Sequence, residues 1–507
     1  MRNPNAAVGK NDRFGYDYRI NMLGAKLWAQ NEWSWNALDL YYALQLSYSS
    51  MQRTTDMLNG RAWYLAKLNP ANAWYYLADN GDAVVKGQEV ANRLVGYTHH
   101  FVDPAFKVGV NYKIDGRNQI KLNAMAETKA PLARDAYISP RVHDRAVEAI
   151  YRHDYARYYA LQDGTSWLKE YFGASQKIAG GDLTYSFNYP IVRGRVTAFY
   201  TQFWNGTELN GYYDDESRTF VNQSLTGINR RHMGVEAAAS VKLGTYFTLT
   251  GALSIGDYRY TSNAMAITSA ENGMALSEDL NGKPIYEQRD SVLIKGLRVA
   301  TGPQLNSSLK LSFFHPKMWF ADITVNYFDW NYLDYAPARR MQGLFSKTGQ
   351  RADGSIVNGS YNDVYSNHPD YNPSVDQKDA FARDEENNII YDKYGVPTLI
   401  YPYSELSKQE SLTAANPLHR FLVDVSVGKL IYLKNRQSIS INLTVNNLLN
   451  NTHFKTGGYQ QARLPRQTRQ HVDEHENSVI SPNIYKFPSK YYYAWGTNFY
   501  LNLQYKF

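Results

Sequence analysis

The feature that most constrains this chain is a two-residue alternation of apolar and polar side chains, repeated in segments of eight to ten residues from one end to the other. Such a period places one parity on each face of an extended strand. The last segment states it plainly. Phe499, Leu501, Leu503, Tyr505 and Phe507 alternate with Asn498, Tyr500, Asn502, Gln504 and Lys506. Leu38, Leu40, Tyr42, Leu44, Leu46 and Tyr48 alternate in the same way with Asp39, Tyr41, Ala43, Gln45 and Ser47. Phe106, Val108, Val110, Tyr112 and Ile114 are set against Lys107, Gly109, Asn111 and Lys113; Ile120 and Leu122 follow across Asp115-Gly116-Arg117-Asn118, a hairpin signal. Further strands are read at 235–243, 247–255, 305–313, 319–327, 421–427 and 439–445, with weaker ones near 183–189 and 195–203.

About 13 strands result, and their connections alternate between short and long. Short turns are expected near Asn31, at 115–118, 189–194, Gly244, His315-Pro316-Lys317 and Lys434-Asn435-Arg436. Long loops are expected at 49–93, 131–169, 209–224, 262–290, 335–418 and 451–490. An outer-membrane barrel has this asymmetry, with short turns on the periplasmic side and long loops outside. No apolar stretch of the ~20 residues that a membrane helix requires is present. A barrel wall escapes that requirement, because only alternate residues meet lipid, and a mean hydropathy of −0.52 is compatible with it.

Asp39, Lys107, Lys113, Lys121, Glu236, Lys242, Lys310, Asp322, Asp424 and Lys506 all lie on polar parities. Parity alone does not say which face points inward. About 13 strands enclose a lumen too wide for side chains to fill, so the polar row is expected to line water and the apolar row to meet lipid. The 43 tyrosines suit a setting with one dry end and one wet end, either the aromatic girdles of a barrel or a glycan-binding surface. The strand total is odd, whereas single-chain bacterial barrels have even numbers, so at least one strand is expected before Met1. The start of the chain also lacks the apolar stretch of a secretory signal, which points to an origin inside a longer chain.

The run Val445-Asn-Asn-Leu-Leu-Asn-Asn-Thr-His-Phe454, followed by a loop and a terminal strand ending in Phe507, resembles the closing segment of TonB-dependent receptors. Thr219-Phe-Val-Asn222, Thr226-Gly-Ile-Asn-Arg-Arg-His-Met-Gly-Val-Glu236, Trp319-Phe-Ala-Asp322 and Thr456-Gly-Gly-Tyr459 resemble one branch of that family, whose complete members carry a carboxypeptidase-regulatory-like N-terminal domain. The resemblance runs over essentially the whole chain. It implies an all-β, transmembrane, antiparallel outer-membrane β-barrel, here incomplete: residues 1–507 would supply the C-terminal portion, about 13 of roughly 22 strands, with the plug domain absent. It further implies part of an active importer of a scarce solute such as a siderophore, glycan, vitamin or peptide. The implied location is the outer membrane. Implied partners are outer-membrane lipid and lipopolysaccharide, the solute, the TonB system through an N-terminal region, and a surface lipoprotein. A passive porin and a soluble, aromatic-rich glycan-binding β protein are the alternatives.

Chemistry-bearing motifs are few. No nucleophile elbow, phosphate-binding loop, dinucleotide fingerprint or His-Glu-x-x-His helix appears, so no enzyme and no cofactor is expected. Cysteine is absent, which removes disulfides and thiolate metal sites. The formal charge of +7 is spread without a dense Lys/Arg block, which argues against nucleic acid. His471-Val-Asp-Glu-His475 has two His four apart but reads as a solvated loop tip, His99-His100 should point to opposite faces, and Asp384-Glu-Glu386 reads as a solvated turn, so no metal site is expected. Trp63 and Tyr64 share one long loop with Trp74, Tyr75 and Tyr76. Aromatic rings on loops carried by a rigid scaffold supply stacking area at little entropic cost, and Trp74, Tyr75, Tyr76, Tyr361 and Tyr459 are the expected solute contacts.

Overall fold

In a computed structural model the chain is almost wholly antiparallel β-structure, and the structure describes residues 18–55, 94–136, 175–214, 219–271, 287–341, 409–433, 437–463 and 488–507 together with short pieces between them. Fifteen strands form one sheet. They are β1 (Tyr18–Trp35), β2 (Leu38–Thr55), β3 (Leu94–Lys113), β4 (Asn118–Lys129), β5 (Gln176–Asn188), β6 (Val192–Asp214), β7 (Thr219–Leu243), β8 (Phe247–Tyr260), β9 (Ala264–Ala270), β10 (Glu287–Val292), β11 (Leu305–Phe314), β12 (Trp319–Asp329), β13 (Phe421–Tyr432), β14 (Ser438–Asn446) and β15 (Asn498–Lys506). Along the main path each pairs with the next in chain order, β8 passing directly to β11, while β9 pairs with the far end of β7 and with β10; β9 and β10 lie off that path. Thirteen strands thus lie along the main path, whose two ends, β1 and β15, are not joined; the sheet is open.

The register carries the alternation across the sheet. Leu40, Val110, Leu122, Leu183, Ala198, Val235, Ile255 and Leu305 are successive cross-strand partners. A second row joins Leu311, Ile323, Val425, Val445 and Phe499. Side chains of this parity are left uncovered: Leu122, Leu183 and Val235 of the first row, and Leu309 and Leu501 on the same face, are each 46–54% exposed. Continuous apolar surface on this scale is absent from soluble monomers, whose largest patches are a few hundred Å². At the short-turn end the same face ends in exposed Trp33, Trp35, Tyr112, Tyr185, Trp319 and Tyr505. Among the described residues no helix is long and apolar enough to cross a membrane.

The short turn between β3 and β4 is closed by a side chain. Asp115 accepts from the backbone N–H of Arg117 (2.6 Å) and Asn118 (2.8 Å), closing the β3–β4 turn. Three expected boundaries shift. The first turn lies at 36–37 rather than near Asn31, because Trp33 and Trp35 continue the outward row and pair with Leu40 and Leu38. Residues 209–214 and 219–224, expected in a long loop, are strand, since β6 and β7 pair on to Asp214 and Thr219. The expected loop at 262–290 contains β9 and part of β10. In the last two cases cross-strand hydrogen bonding continues past the point where apolar alternation stops.

A dry core is built above the ladder. Leu225, Ile228, Tyr260, Ala264, Ala266, Val292, Ile294, Leu297, Val299, Tyr335 and Met341 form one buried cluster at the long-connection end. Its geometry depends on a register shift between β6 and β7 around Ile228. Asn205 (φ 57°) and Gly227 (φ +70°) take left-handed backbone there, which asparagine and glycine tolerate best.

Candidate functional site

The face opposite the apolar rows is polar and cross-linked. Asp39 accepts from Asn111 Nδ2 (3.1 Å) and Lys113 Nζ (2.9 Å). Tyr41 OH donates to Asn123 Oδ1 (3.1 Å), whose amide donates to Asp182 (2.9 Å). Ser308 donates to Asn326 Oδ1 (2.8 Å), and Asn326 donates to Asp424 (3.0 Å). Lys310 and Asp322 pair at 3.2 Å on the same face. The hydroxyl, amide and carboxylate groups of one parity therefore bond across strands, as side chains of equal parity must when their registers match.

The long-connection end gathers a different set of groups. Two short strands, Lys455–Tyr459 and Lys490–Tyr493, form a hairpin whose edge meets Asp334. Asp334 N–H donates to Gly458 O (3.0 Å) and Gln460 N–H to Asp334 O (2.9 Å), so Tyr459 is bridged to Asp334. Tyr459 is half-buried; the Tyr492 ring lies 6.1 Å from its ring, and Lys490 Nζ lies 6.0 Å from its centroid. Tyr491 donates to Glu410 (2.7 Å) beneath Lys455 Nζ, which sits 4.0 Å over the Tyr491 ring.

Asp334 keeps part of its surface in water, yet protein surrounds it on most sides. Desolvation, reinforced by the neighbouring Glu208 carboxylate, pushes its pKa up to about 6. Desolvation likewise raises Glu208, against the pull of Arg230 at 3.6 Å. Tyr260 and Tyr335 meet edge to face at 5.3 Å beside these carboxyls, both with raised pKa through burial. Groups of this kind recognise and hold; among the described residues no three His, Asp or Glu side chains converge as metal ligands would.

Of the residues expected to contact solute, Tyr459 is in this hairpin. Tyr75 and Tyr76 lie in a short strand, Tyr75–Leu77, paired with Ala83–Val85. Trp74 and Tyr361 lie outside the described residues, as do Trp63, Tyr64, His475 and residues 384–386. The structure thus places Tyr459 beside Asp334. His99 is buried, whereas His100 is exposed and bonded to Tyr48 OH (2.8 Å), so the pair does point to opposite faces. Sequence reasoning missed Glu208, Asp334, Tyr260 and Tyr335, which are local to nothing but each other; no motif marks them.

The Asn-rich run 446–451 proves to be a knot at this rim. Asn447 and Asn450 take left-handed backbone (φ 48° and 52°). The Asn447 amide donates to Asn451 O (3.1 Å) and Trp495 O (2.8 Å), and Asn451 Nδ2 donates to His419 O and Phe421 O (both 2.9 Å). Asp424, the last acceptor of the polar ladder, receives the Asn447 N–H (2.8 Å).

No family model matches the chain, and no curated protein does. Solved structures to which it is similar include the copper transporter OprC (10% identity, 96% of this chain and 48% of that one, TM-score 0.42). The ferric citrate transporter FecA in unliganded form is similar at 10% identity over 97% of this chain and 47% of that one, with a TM-score of 0.38. The ferric-catecholate import receptor Fiu from E. coli K12 is similar at 9% identity over 96% and 45%, with a TM-score of 0.40. The chain spans about half the length of each.

Proposed function

We propose that this chain forms part of the wall of an outer-membrane β-barrel of the TonB-dependent receptor type, in the branch with a carboxypeptidase-regulatory-like N-terminal domain, and that it serves uptake of a scarce solute. The observation that carries this reading is the pair of register-matched faces, one exposed and apolar across the main sheet and the other polar and hydrogen-bonded. In water such a sheet would leave its apolar rows uncovered; in a bilayer those rows meet acyl chains while the polar row lines the lumen. The exposed aromatic residues at the short-turn end fit an interfacial girdle. On this reading the short turns are periplasmic, the long connections extracellular, and the solute a siderophore, glycan, vitamin or peptide held by loop aromatics. Trp74, Tyr75, Tyr76, Tyr361 and Tyr459 are its proposed contacts, with energy supplied through TonB by an N-terminal region and a surface lipoprotein as a further partner.

Cell fractionation and growth test the two parts separately. The protein should stay with outer membranes after carbonate washing and need detergent for release; recovery in the wash would reject the barrel. Cells should gain growth on one of a set of defined iron, vitamin or glycan sources, and Trp74→Ala with Tyr76→Ala should weaken uptake. Unchanged uptake affinity after both substitutions would remove those residues from the site.

A further inference from the structure

The polar face of β6, β7 and β8 is recessed just below the dry cluster. Arg230, His232, Gly234 and Glu236 of β7 have the parity opposite to exposed Val235 and Leu243, so they share the polar face. Register sets Arg230 between Phe203 and Tyr260, His232 between Thr201 and Tyr258, and Gly234 between Phe199 and Gly256. The two glycines leave the wall without side chains at their level, and neighbouring rings fold across the gap. A Cβ on Gly256 would stand 2.5 Å from the Tyr258 ring, and one on Gly234 would stand 2.9 Å from Phe199 Cζ. Above them the His232 ring lies 4.7 Å from Tyr258 and 5.1 Å from Phe203, and the Arg230 guanidinium lies 5.6 Å from the Phe203 centroid.

Arg230 is the cation at the upper end of this aromatic bed, and it is poorly matched. Its carboxyl neighbour, Glu208, is 3.6 Å away, whereas Arg231 on the opposite face holds Asp257 at 2.9 Å and Arg420 holds Asp329 at 2.8 Å. Desolvation favours the neutral form of Glu208, which weakens the match further. Arg230 Nε and His232 Nε2 are both shielded from water and bonded to nothing. Unmatched polar groups in a partly desolvated setting are costly until something completes them. At the lower end stands Glu236, exposed and set between Thr197 and Ser254.

We propose that Arg230 and His232, with the rings of Phe203 and Tyr258, form a site on the lumen wall for an organic monoanion, a carboxylate carried on a flat conjugated body. The inference rests on the barrel reading above, which turns this face toward the lumen, and it names the chemistry of the solute. One guanidinium beside one imidazole balances a single negative charge, and guanidinium N–H pairs take carboxylate oxygens two at a time. Flat bodies stack on rings that have little conformational freedom to lose. Glu236 repels a second anionic end. The carboxylate therefore points up to Arg230 while the flat body lies down over the glycine pair.

Isothermal titration calorimetry of the detergent-purified full protein tests the site with three probes: naphthoate, its neutral amide naphthamide, and cyclohexanecarboxylate, which keeps the charge but is not flat. Wild type should bind naphthoate roughly tenfold more tightly than naphthamide, as a charge-assisted contact does, and several-fold more tightly than cyclohexanecarboxylate. Arg230→Gln should lower naphthoate to the level of naphthamide, and Phe203→Leu should lower it toward cyclohexanecarboxylate. Arg230→Lys keeps the charge without the paired N–H groups and should fall between wild type and Arg230→Gln. The comparison of probes on wild type stands even where a substitution prevents folding. No measurable binding of naphthoate, equal affinity for naphthoate and either other probe, or unchanged naphthoate affinity in Arg230→Gln would overturn the proposal. Fractionation of the same cells separates the two readings: a protein recovered in the carbonate wash defeats the barrel, whereas an outer-membrane protein whose binding ignores charge and flatness defeats only this site.

Discussion

From Val235 to Val241, every residue of β7 has a cross-strand partner on both sides, in β6 and β8, without a break in register. Between Leu225 and Arg230 the same strand shifts register twice against β6, beside left-handed Gly227, and its side chains enter a dry cluster. The lower stretch needs only parity to be specified, because one residue of slip would turn its whole apolar row to the wrong face. The upper stretch takes its shape from contacts between segments far apart in sequence, and it is there that ionisable groups are crowded. A two-faced ladder and a buried cluster with crowded ionisable groups are thus made from the same strands, separated by the level at which alternation ends.

The sharpest way to break this division is to put equal charge on opposite faces of one strand. Leu183 is 52% exposed on the apolar face, while Thr184 bonds to Thr197 (2.8 Å) on the polar one. Leu183→Arg should cost ~2–4 kcal/mol of stability in a bilayer, the penalty for a guanidinium near mid-depth on a lipid face, and Thr184→Arg only ~1 kcal/mol. Urea titration of the protein in phospholipid vesicles gives both values. Equal costs would mean that the two faces see the same solvent.

At the boundary between the regions, the test is Asn447. Its backbone N–H donates to Asp424 of β13, its side chain ties the end of β14 to Asn451 and to Trp495 before β15, and its backbone is left-handed. Asn447→Ala removes the amide bonds and adds a strained conformation, for an expected ~1–3 kcal/mol. Leu449→Ala, two residues on and 63% exposed, should change little. Limited proteolysis should cut the Asn447 variant faster between residues 447 and 497 while leaving the ladder below intact. Uniform loss of the whole sheet would show that the rim and wall unfold as one unit.

How much of this was legible beforehand follows the same boundary. Leu38 to Tyr48, the Asp115 turn and the terminal Phe499 to Phe507 alternation were readable because strand periodicity and turn chemistry are local properties. The turn at 36–37 was misplaced because Asn31 looks like a turn residue, while the pairing of Trp33 and Trp35 with β2 lies outside any local window. Strand at 209–214 and 219–224 was invisible for a related reason: Glu208 faces Leu225 above the apolar belt, where backbone pairing persists without alternation. Asp334 beside Glu208, and Arg298 beside Asp257, join residues 126 and 41 positions apart respectively. No spacing rule anticipates either pair.

The smallest effect expected is also the one that belongs only to the upper region. Asp334 titrates at about 6 because desolvation and the Glu208 carboxylate disfavour its ionised form. A carboxyl whose pKa is raised on folding contributes stability below its unfolded pKa, and loses that contribution as pH rises through the folded value. The hairpin edge fixed by the Asp334 and Gln460 amides should therefore be held more tightly at pH 5 than at pH 7. Because Asp334 is partly exposed, solvent screening limits the change to under ~1 kcal/mol. Hydrogen exchange at those two amides, corrected for the intrinsic pH dependence of exchange, should show weaker protection at the higher pH. Asp334→Asn should flatten the difference, and Glu208→Gln should move the transition to lower pH by removing the repelling charge. Protection that still falls between pH 5 and pH 7 in Asp334→Asn would assign the effect to another group, leaving the Asp334–Glu208 pair a structural contact without a titration of its own.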